Sequence, residues 1–203
     1  MAHTNNSGSM LGLTRPGSSV FLSPAANPGR RLPYTLEMVA LPGPPEPFWV
    51  GVNTLTPNRF LRAAFAANLL PWTAGYTHLQ PEAKRGTSRL DALLTGPGLP
   101  PLWVECKNVT LVEDGVAAFP DAVSERAHKH MREMISITQN GERAVFFYCV
   151  QRPDAHCFGP ADYVDAVYAE LYTKARTHGV ESHAHKAVLS EKGIALGEEL
   201  PLL

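Results

Sequence analysis

Cysteine is scarce in this chain: Cys106, Cys149 and Cys157 are the only three among 203 residues. Their spacings fit neither a zinc site nor an even disulfide framework. Cys106 and Cys149 fall inside apolar strand patterns, where a buried reduced thiol is the simpler reading. Long apolar runs are missing too. None approaches the roughly 20 residues that span a bilayer, and no signal-peptide core is visible near Met1, so no membrane partner and a cytoplasmic location are expected. Nor is there an excess of one charge, since 18 Lys and Arg stand against 19 Asp and Glu. A chain of net charge −1 has no general basic surface, and any contact with nucleic acid must come from a local patch. No repeat or low-complexity tract is seen. What is present, 44% hydrophobic and 18% charged residues, is ordinary for a globular protein with one good core or two small ones.

Residues 1–31 are rich in Gly, Ser, Asn and Pro and are punctuated by the turn signals Asn6-Ser-Gly8, Arg15-Pro-Gly17 and Asn27-Pro-Gly29. Short strands are expected over Ser18–Ser23, Pro33–Leu41 and Pro47–Asn53. Three strands are too few to close a barrel, so this part reads as an incomplete β domain. A helix follows over Thr56–Leu70, with Thr56 as cap, Pro57 in the first turn, and Phe60, Leu61, Ala64, Phe65 and Leu69 at helical spacing. A second helix opens near Asp121, a plausible cap, and runs to Asn140-Gly141, burying Val123, Ala127, Met131, Met134 and Ile135. Arg126, Lys129, His130 and Glu133 share a polar face of that helix, which is either a solvated surface or one turned toward a substrate. Arg143–Val150 is a nearly continuous run of apolar β-formers, as in a strand covered on both faces. A third helix is expected from about Pro160 to His178, then a strand over His183–Ser190 and a short tail. His183 and His185 share a strand face, but two ligands without a third make a poor metal site. Strands joined through helices imply a mixed sheet with helices on its faces, an α+β (α/β) architecture. The division read from the sequence is 1–46 for the β domain and 47–203 for the rest.

The chemistry concentrates in Arg89–Thr95 and Leu102–Leu111, read as neighbouring strands. Side chains alternate along a strand, so Glu105 and Lys107 leave one face while Val104 and Cys106 leave the other. If the two strands pair, Asp91 comes beside Glu105. Two carboxylates then offer hard oxygen ligands to Mg²⁺ or Mn²⁺, with an ammonium at the edge. Such a set suits phosphodiester hydrolysis, because the ion activates a water and the lysine steadies the nucleophile and the developing charge. The other reading of these residues is a buried ion pair plus a surface carboxylate. Burying two charges in an apolar central strand without a use for them is costly.

An acidic residue on one strand and Glu-x-Lys on the next resembles the core of the PD-(D/E)xK nuclease superfamily. Five separated segments, Val52-Asn-Thr-Leu-Thr-Pro-Asn-Arg59, Ser88-Arg-Leu-Asp91, Val104-Glu-Cys-Lys-Asn-Val-Thr-Leu111, Phe119-Pro-Asp-Ala-Val-Ser-Glu-Arg126 and Lys129-His130, together resemble the sugar fermentation stimulation protein A family across nearly the whole chain. The resemblance implies an N-terminal OB-like barrel, a nuclease-like C-terminal domain, DNA binding and a regulatory link to sugar (maltose) metabolism. It also implies Asp91, Glu105 and Lys107 as catalytic positions, with Asp91, Glu105 and the Cys106 carbonyl around the metal. Arg126, Lys129, His130, Lys84, Arg85 and Arg89 are the candidate contacts to DNA, or to RNA. The alternative is a non-catalytic DNA-binding transcriptional regulator that keeps the nuclease fold.

Two departures from the family pattern stand out. Asn5 occupies the place of a proline before the Asn6-Ser-Gly8 turn, and the strands that precede this turn are absent, so a late start codon or a shortened barrel is expected. The helix Thr56–Leu70 carries no glutamate, although many nucleases of the superfamily have one there. Asn53, Asn58 or Glu82 are the possible stand-ins.

Overall fold

The computed structural model describes residues 1–203 except Pro28 and Thr87. Pro28 belongs to the Asn27-Pro-Gly29 turn signal, which therefore lies partly outside the described residues. The chain begins with β1 (Val20–Pro24), β2 (Tyr34–Leu41) and β3 (Phe48–Gly51), which form an antiparallel three-stranded sheet in the order β1-β2-β3. Leu13, Val39, Leu41, Val50 and Val52 make its small core. β3 completes this sheet, so the first unit extends past residue 46, where the sequence reading had divided the chain.

The second unit comprises α1 (Thr56–Ala66), β4 (His78–Arg85), β5 (Ser88–Thr95), β6 (Leu102–Val109), β7 (Leu111–Glu113), β8 (Val116–Phe119), α2 (Glu125–Gln139), β9 (Arg143–Val150), β10 (Cys157–Pro160), α3 (Ala166–Thr177), β11 (Glu181–Ser190) and β12 (Gly193–Glu199). Its main sheet has six strands in the order β12-β11-β9-β6-β5-β4. The β6–β9 and β9–β11 pairs are parallel and the outer pairs antiparallel, giving the mixed sheet that helical connections require. One face packs Trp103, Phe146 and Tyr148 against α2 and α3. The other packs Val104, Val145 and Phe147 beneath Phe60, Leu61 and Ala64 of α1. Covering on both faces is why β9 has no charged residue after Arg143. A smaller sheet, β10-β8-β7, sits to one side.

The helix caps and ends differ from expectation, each for its own local reason. Thr56 does not cap α1. Asn53 Oδ1 instead accepts the Leu55 N–H at 2.9 Å, and the helix ends at Ala66, leaving Leu69 outside it and 55% exposed. Ser124, not Asp121, caps α2 by accepting the Ala127 N–H at 3.2 Å. Val123 thus precedes the helix and is 67% exposed. α3 starts at Ala166 because Cys157–Pro160 pairs with β8 as a strand; Asp165 caps it by accepting the Tyr168 N–H at 3.0 Å. Among the described residues, no helix is long and apolar enough to cross a membrane.

Candidate active site

β5 and β6 stay paired only from Ala92–Val104 to Leu94–Leu102. Beyond Ala92 the ladder opens, and β5 also turns over. Ala92 and Leu94 belong to the α1-side core, whereas Leu90, two residues away, belongs to the α2-side core. Strict alternation would put Leu90 and Ala92 on one face, so the strand twists at Asp91. The β4 residue opposite Asp91 in this register is Glu82, which takes a positive φ of 48°, a conformation that costs a non-glycine residue energy. The twist turns the Asp91 carboxylate into the opening. There Oδ2 accepts the Cys106 N–H at 2.8 Å, standing in for the lost ladder bond, and Oδ1 accepts Asn58 Nδ2 at 2.7 Å.

On β6, Glu105 and Lys107 share the α2-side face, and Lys107 Nζ lies 2.8 Å from Glu105 Oε1. The same oxygen contacts His130 Nδ1 from α2. Glu105 is 4% exposed, and among the described residues its second oxygen has no hydrogen-bond donor. Burial raises the Glu105 pKa, but the Lys107 charge and the His130 hydrogen bond outweigh it and hold the carboxyl at about 2. Asp91 goes the other way: burial and then the Glu105 charge raise it, against the Cys106 N–H, Asn58 and Lys107. Burial pushes the Cys106 thiol well up, so this sulfur stays protonated and its backbone is what the site can use.

Asp91, Glu105 and Lys107 line one cavity of about 510 Å³. Four acids border it (Glu82, Asp91, Glu105, Asp121) and two bases (Lys107, Arg126). An anionic phosphate entering this excess of negative charge needs a cation with it. The donor set fits a hard divalent ion: Asp91, the free oxygen of Glu105, and the Cys106 carbonyl, which leaves the strand on the side of the N–H that reaches Asp91. Among the described residues no cluster of three or more His, Cys, Asp or Glu forms a metal site. Two carboxylates with carbonyl oxygen and water make a Mg²⁺-type shell, whereas zinc would need more protein ligands.

The remaining candidates scatter. Asn58 orients Asp91. Glu82 borders the cavity and pairs with Arg89 at 3.1 Å on the exposed hairpin. Asn53 is fully occupied by Asn5, Glu37 and the Leu55 N–H, and does not line the cavity. Arg126 lines the cavity, and Lys129 is exposed but does not. His130, grouped with them by helical spacing, is buried against Glu105. Arg85 is held by Glu142 at 2.8 Å over the Trp103 ring, and Lys84 lies exposed beside it on β4. Sequence reasoning missed Asp121 and the Asn5–Gly8 turn as cavity walls. It also missed His128, whose Nε2 lies 2.7 Å from Asp165 Oδ2 and ties the start of α2 to that of α3. No local pattern marks these, because each depends on a partner distant in the chain.

These features define an α+β protein in which an OB-type N-terminal sheet precedes a helix-flanked mixed sheet bearing Asp on one strand and Glu-x-Lys on the next. The chain belongs to the sugar fermentation stimulation protein family. The family profile "Sugar fermentation stimulation protein RE domain" matches residues 55–193, and "SfsA N-terminal OB domain" matches residues 1–52. A sugar fermentation stimulation protein homolog of Syntrophobacter fumaroxidans is 55% identical over 202 residues, covering 100% of this chain and 76% of the relative. That of Maridesulfovibrio salexigens is 54% identical, covering 98% and 83%. The solved structure of Pyrococcus furiosus SfsA in complex with Ca²⁺ superimposes with a TM-score of 0.90 at 27% identity, covering 100% of this chain and 85% of that one.

Proposed function

We propose that the protein is a divalent-metal-dependent phosphodiesterase acting on nucleic acid. The observation that carries this reading is the meeting of Asp91, Glu105 and Lys107 at one cavity, with Lys107 Nζ 2.8 Å from Glu105 Oε1 at its floor. That the related P. furiosus protein was solved in complex with Ca²⁺ supports an oxygen-rich cation site in this fold. Mg²⁺ or Mn²⁺ held by Asp91, Glu105 and the Cys106 carbonyl would supply charge neutralisation for a phosphate and a lowered pKa for water. Asn58 and the Cys106 N–H fix the Asp91 carboxylate, and His130 fixes that of Glu105, so neither must reorganise when substrate arrives. Lys107, packed near the Phe119 and Phe146 rings, presents its ammonium to the attacking oxygen and to the charge that grows on phosphorus oxygens. Arg126 at the cavity wall meets a phosphate of the bound strand. Any tie to sugar metabolism acts, on this reading, through nucleic acid and not through a bound sugar.

Incubation with Mn²⁺ and single- and double-stranded DNA and RNA tests this. Metal-dependent cleavage is expected, with Lys107→Ala lowering the rate by about 10²–10³, the cost of removing one preorganised donor, while binding persists. Binding by pure wild-type protein without metal-dependent cleavage would support the non-catalytic DNA-binding regulator instead.

A further inference from the structure

The reactive groups lie low in a half-open cavity. Glu105 is 4% exposed and the Lys107 side chain 11%, and the cavity that reaches them is walled on one side by residues from the opposite end of the chain: Asn5, Asn6, Ser7 and Gly8. This turn is fastened at several points. Asn5 Nδ2 donates to Asn53 Oδ1 at 2.7 Å, and the Thr54 hydroxyl donates to the Asn5 carbonyl at 3.2 Å. Asn6 Nδ2 donates to the Val52 carbonyl at 3.1 Å, and the Met10 N–H to Asp121 Oδ2 at 3.1 Å. Below it the two units meet closely, since a Cβ on Gly51 would come 2.0 Å from Gln151 Oε1. The turn is a fixed rim.

A cavity of about 510 Å³ is the size of a small-molecule site. That volume is on the order of one or two nucleotides. In a duplex the phosphates ride on the outside of a thick rod with the bases stacked inward, whereas the Lys107 side chain is only 11% exposed, behind the Asn5–Gly8 turn and Ser124, Arg126 and Ala127, which wall the cavity. A lone strand can bend into it. The walls suit a splayed base as well as a phosphate: Leu55, 49% exposed, and the partly exposed Phe119 give apolar surface, and Arg126 gives the charge.

We propose that this site takes a single nucleic-acid strand and excludes intact duplex, and that the Asn5–Gly8 turn makes the selection. The proposal rests on the reading of the cavity as a phosphodiester site and adds the form of the substrate. The test compares Mn²⁺-dependent cleavage of a labelled oligonucleotide, as DNA and as RNA, with the same sequence in a blunt duplex and in a duplex carrying a single-stranded tail. The single strand is expected to be cut about a hundredfold faster than the blunt duplex, the scale set by unpairing and unstacking, and the tailed duplex only in its tail. Cleavage of the blunt duplex within a few-fold of the single strand overturns the proposal. The DNA and RNA arms assign the sugar, because the 2′-hydroxyl is what distinguishes them.

Asn5→Ala, which loosens the rim, is expected to raise the duplex-to-single-strand ratio of rates. Mere instability would lower both together, and an unchanged ratio overturns the role of the turn. If nothing is cleaved, the phosphodiesterase reading fails and strand choice is decided by fluorescence anisotropy in Mn²⁺. Tighter binding of the single strand, lost by about tenfold in Arg126→Glu with little change for duplex, then supports the proposal. Duplex bound as tightly as the single strand overturns it.

Discussion

Asp91 Oδ2 accepts the Cys106 N–H at 2.8 Å across the gap where β5 has parted from β6. A side chain thus replaces a backbone ladder bond, and the carboxylate sits beside Glu105, the next acid on the neighbouring strand. Lys107 offsets part of this charge, but without a divalent ion the two negative charges still repel each other in a largely buried setting. Asp91→Asn keeps an oxygen for the Cys106 N–H, offers its NH2 to the Asn58 carbonyl once that amide turns over, and removes one of the charges. The variant is expected to melt at a higher temperature than wild type in metal-free buffer at neutral pH. Added Mn²⁺ raises the melting temperature of wild type and leaves the variant where it was. A variant that melts lower in metal-free buffer contradicts the repulsion argument.

His130 is a partner of Glu105 and not a surface contact. Removing it with His130→Phe, which fills similar space, leaves a buried carboxylate with Lys107 alone. The expected cost is about 1.5–3 kcal/mol in urea unfolding, the range for a lost hydrogen bond to a charged group. The companion Lys129→Ala, on the exposed side of the same helix, is expected to change stability by less than about 0.5 kcal/mol. Equal effects of the two substitutions would mean that His130 does not hold Glu105.

The contrast between these two neighbours shows how far the sequence could be read. The central strands were legible because β6 and β9 are apolar runs covered on both faces, and the alternation that set Glu105 and Lys107 together is a property of any strand. The helical spacing of Arg126, Lys129 and His130 was equally real, but it defines a face without saying what the face meets. Only the fold puts Glu105 under His130. Asp121 looked like a cap and serves Met10, a residue 111 positions away. β4 was missed because Pro81 and Glu82 interrupt its alternation, and both suit an edge strand that bends. β10, four residues ending in Gly-Pro, pairs in parallel with β8 and has no local signature. β12, Gly193–Glu199, reads as a tail because its alternation is weak and it covers only one edge of the sheet.

A second pair of histidines gives a pH test with opposite signs. His183 Nδ1 lies 2.6 Å from Glu199 Oε1 and stacks on Trp72. Burial lowers its pKa, but Glu181 and Glu199 together raise it above the ordinary value. His185 is buried too, and there burial outweighs the Glu199 charge and the Gly197 backbone and lowers the pKa. A raised folded pKa gives stability that is present below the unfolded value of about 6.5 and lost as pH rises through the folded one. A lowered folded pKa in a histidine gives the reverse, stability present above about 6.5 and lost as pH falls. Relative to wild type, His183→Gln is therefore expected to gain stability from pH 5 to 8, and His185→Gln to lose it over the same range. Urea unfolding of both variants and of wild type at several pH values measures the two changes. Changes of the same sign would contradict the assignment.

The most direct measurement is a calorimetric titration of the metal-free protein with Mn²⁺, set beside the same titration of Asp91→Ala. The account predicts one ion bound per chain in wild type and affinity reduced by more than about tenfold in the variant, since even changes to residues behind the ligands cost that much. Wild type that takes up no ion, or a variant that binds it as tightly, would contradict the claim that Asp91 and Glu105 hold a metal beside Lys107.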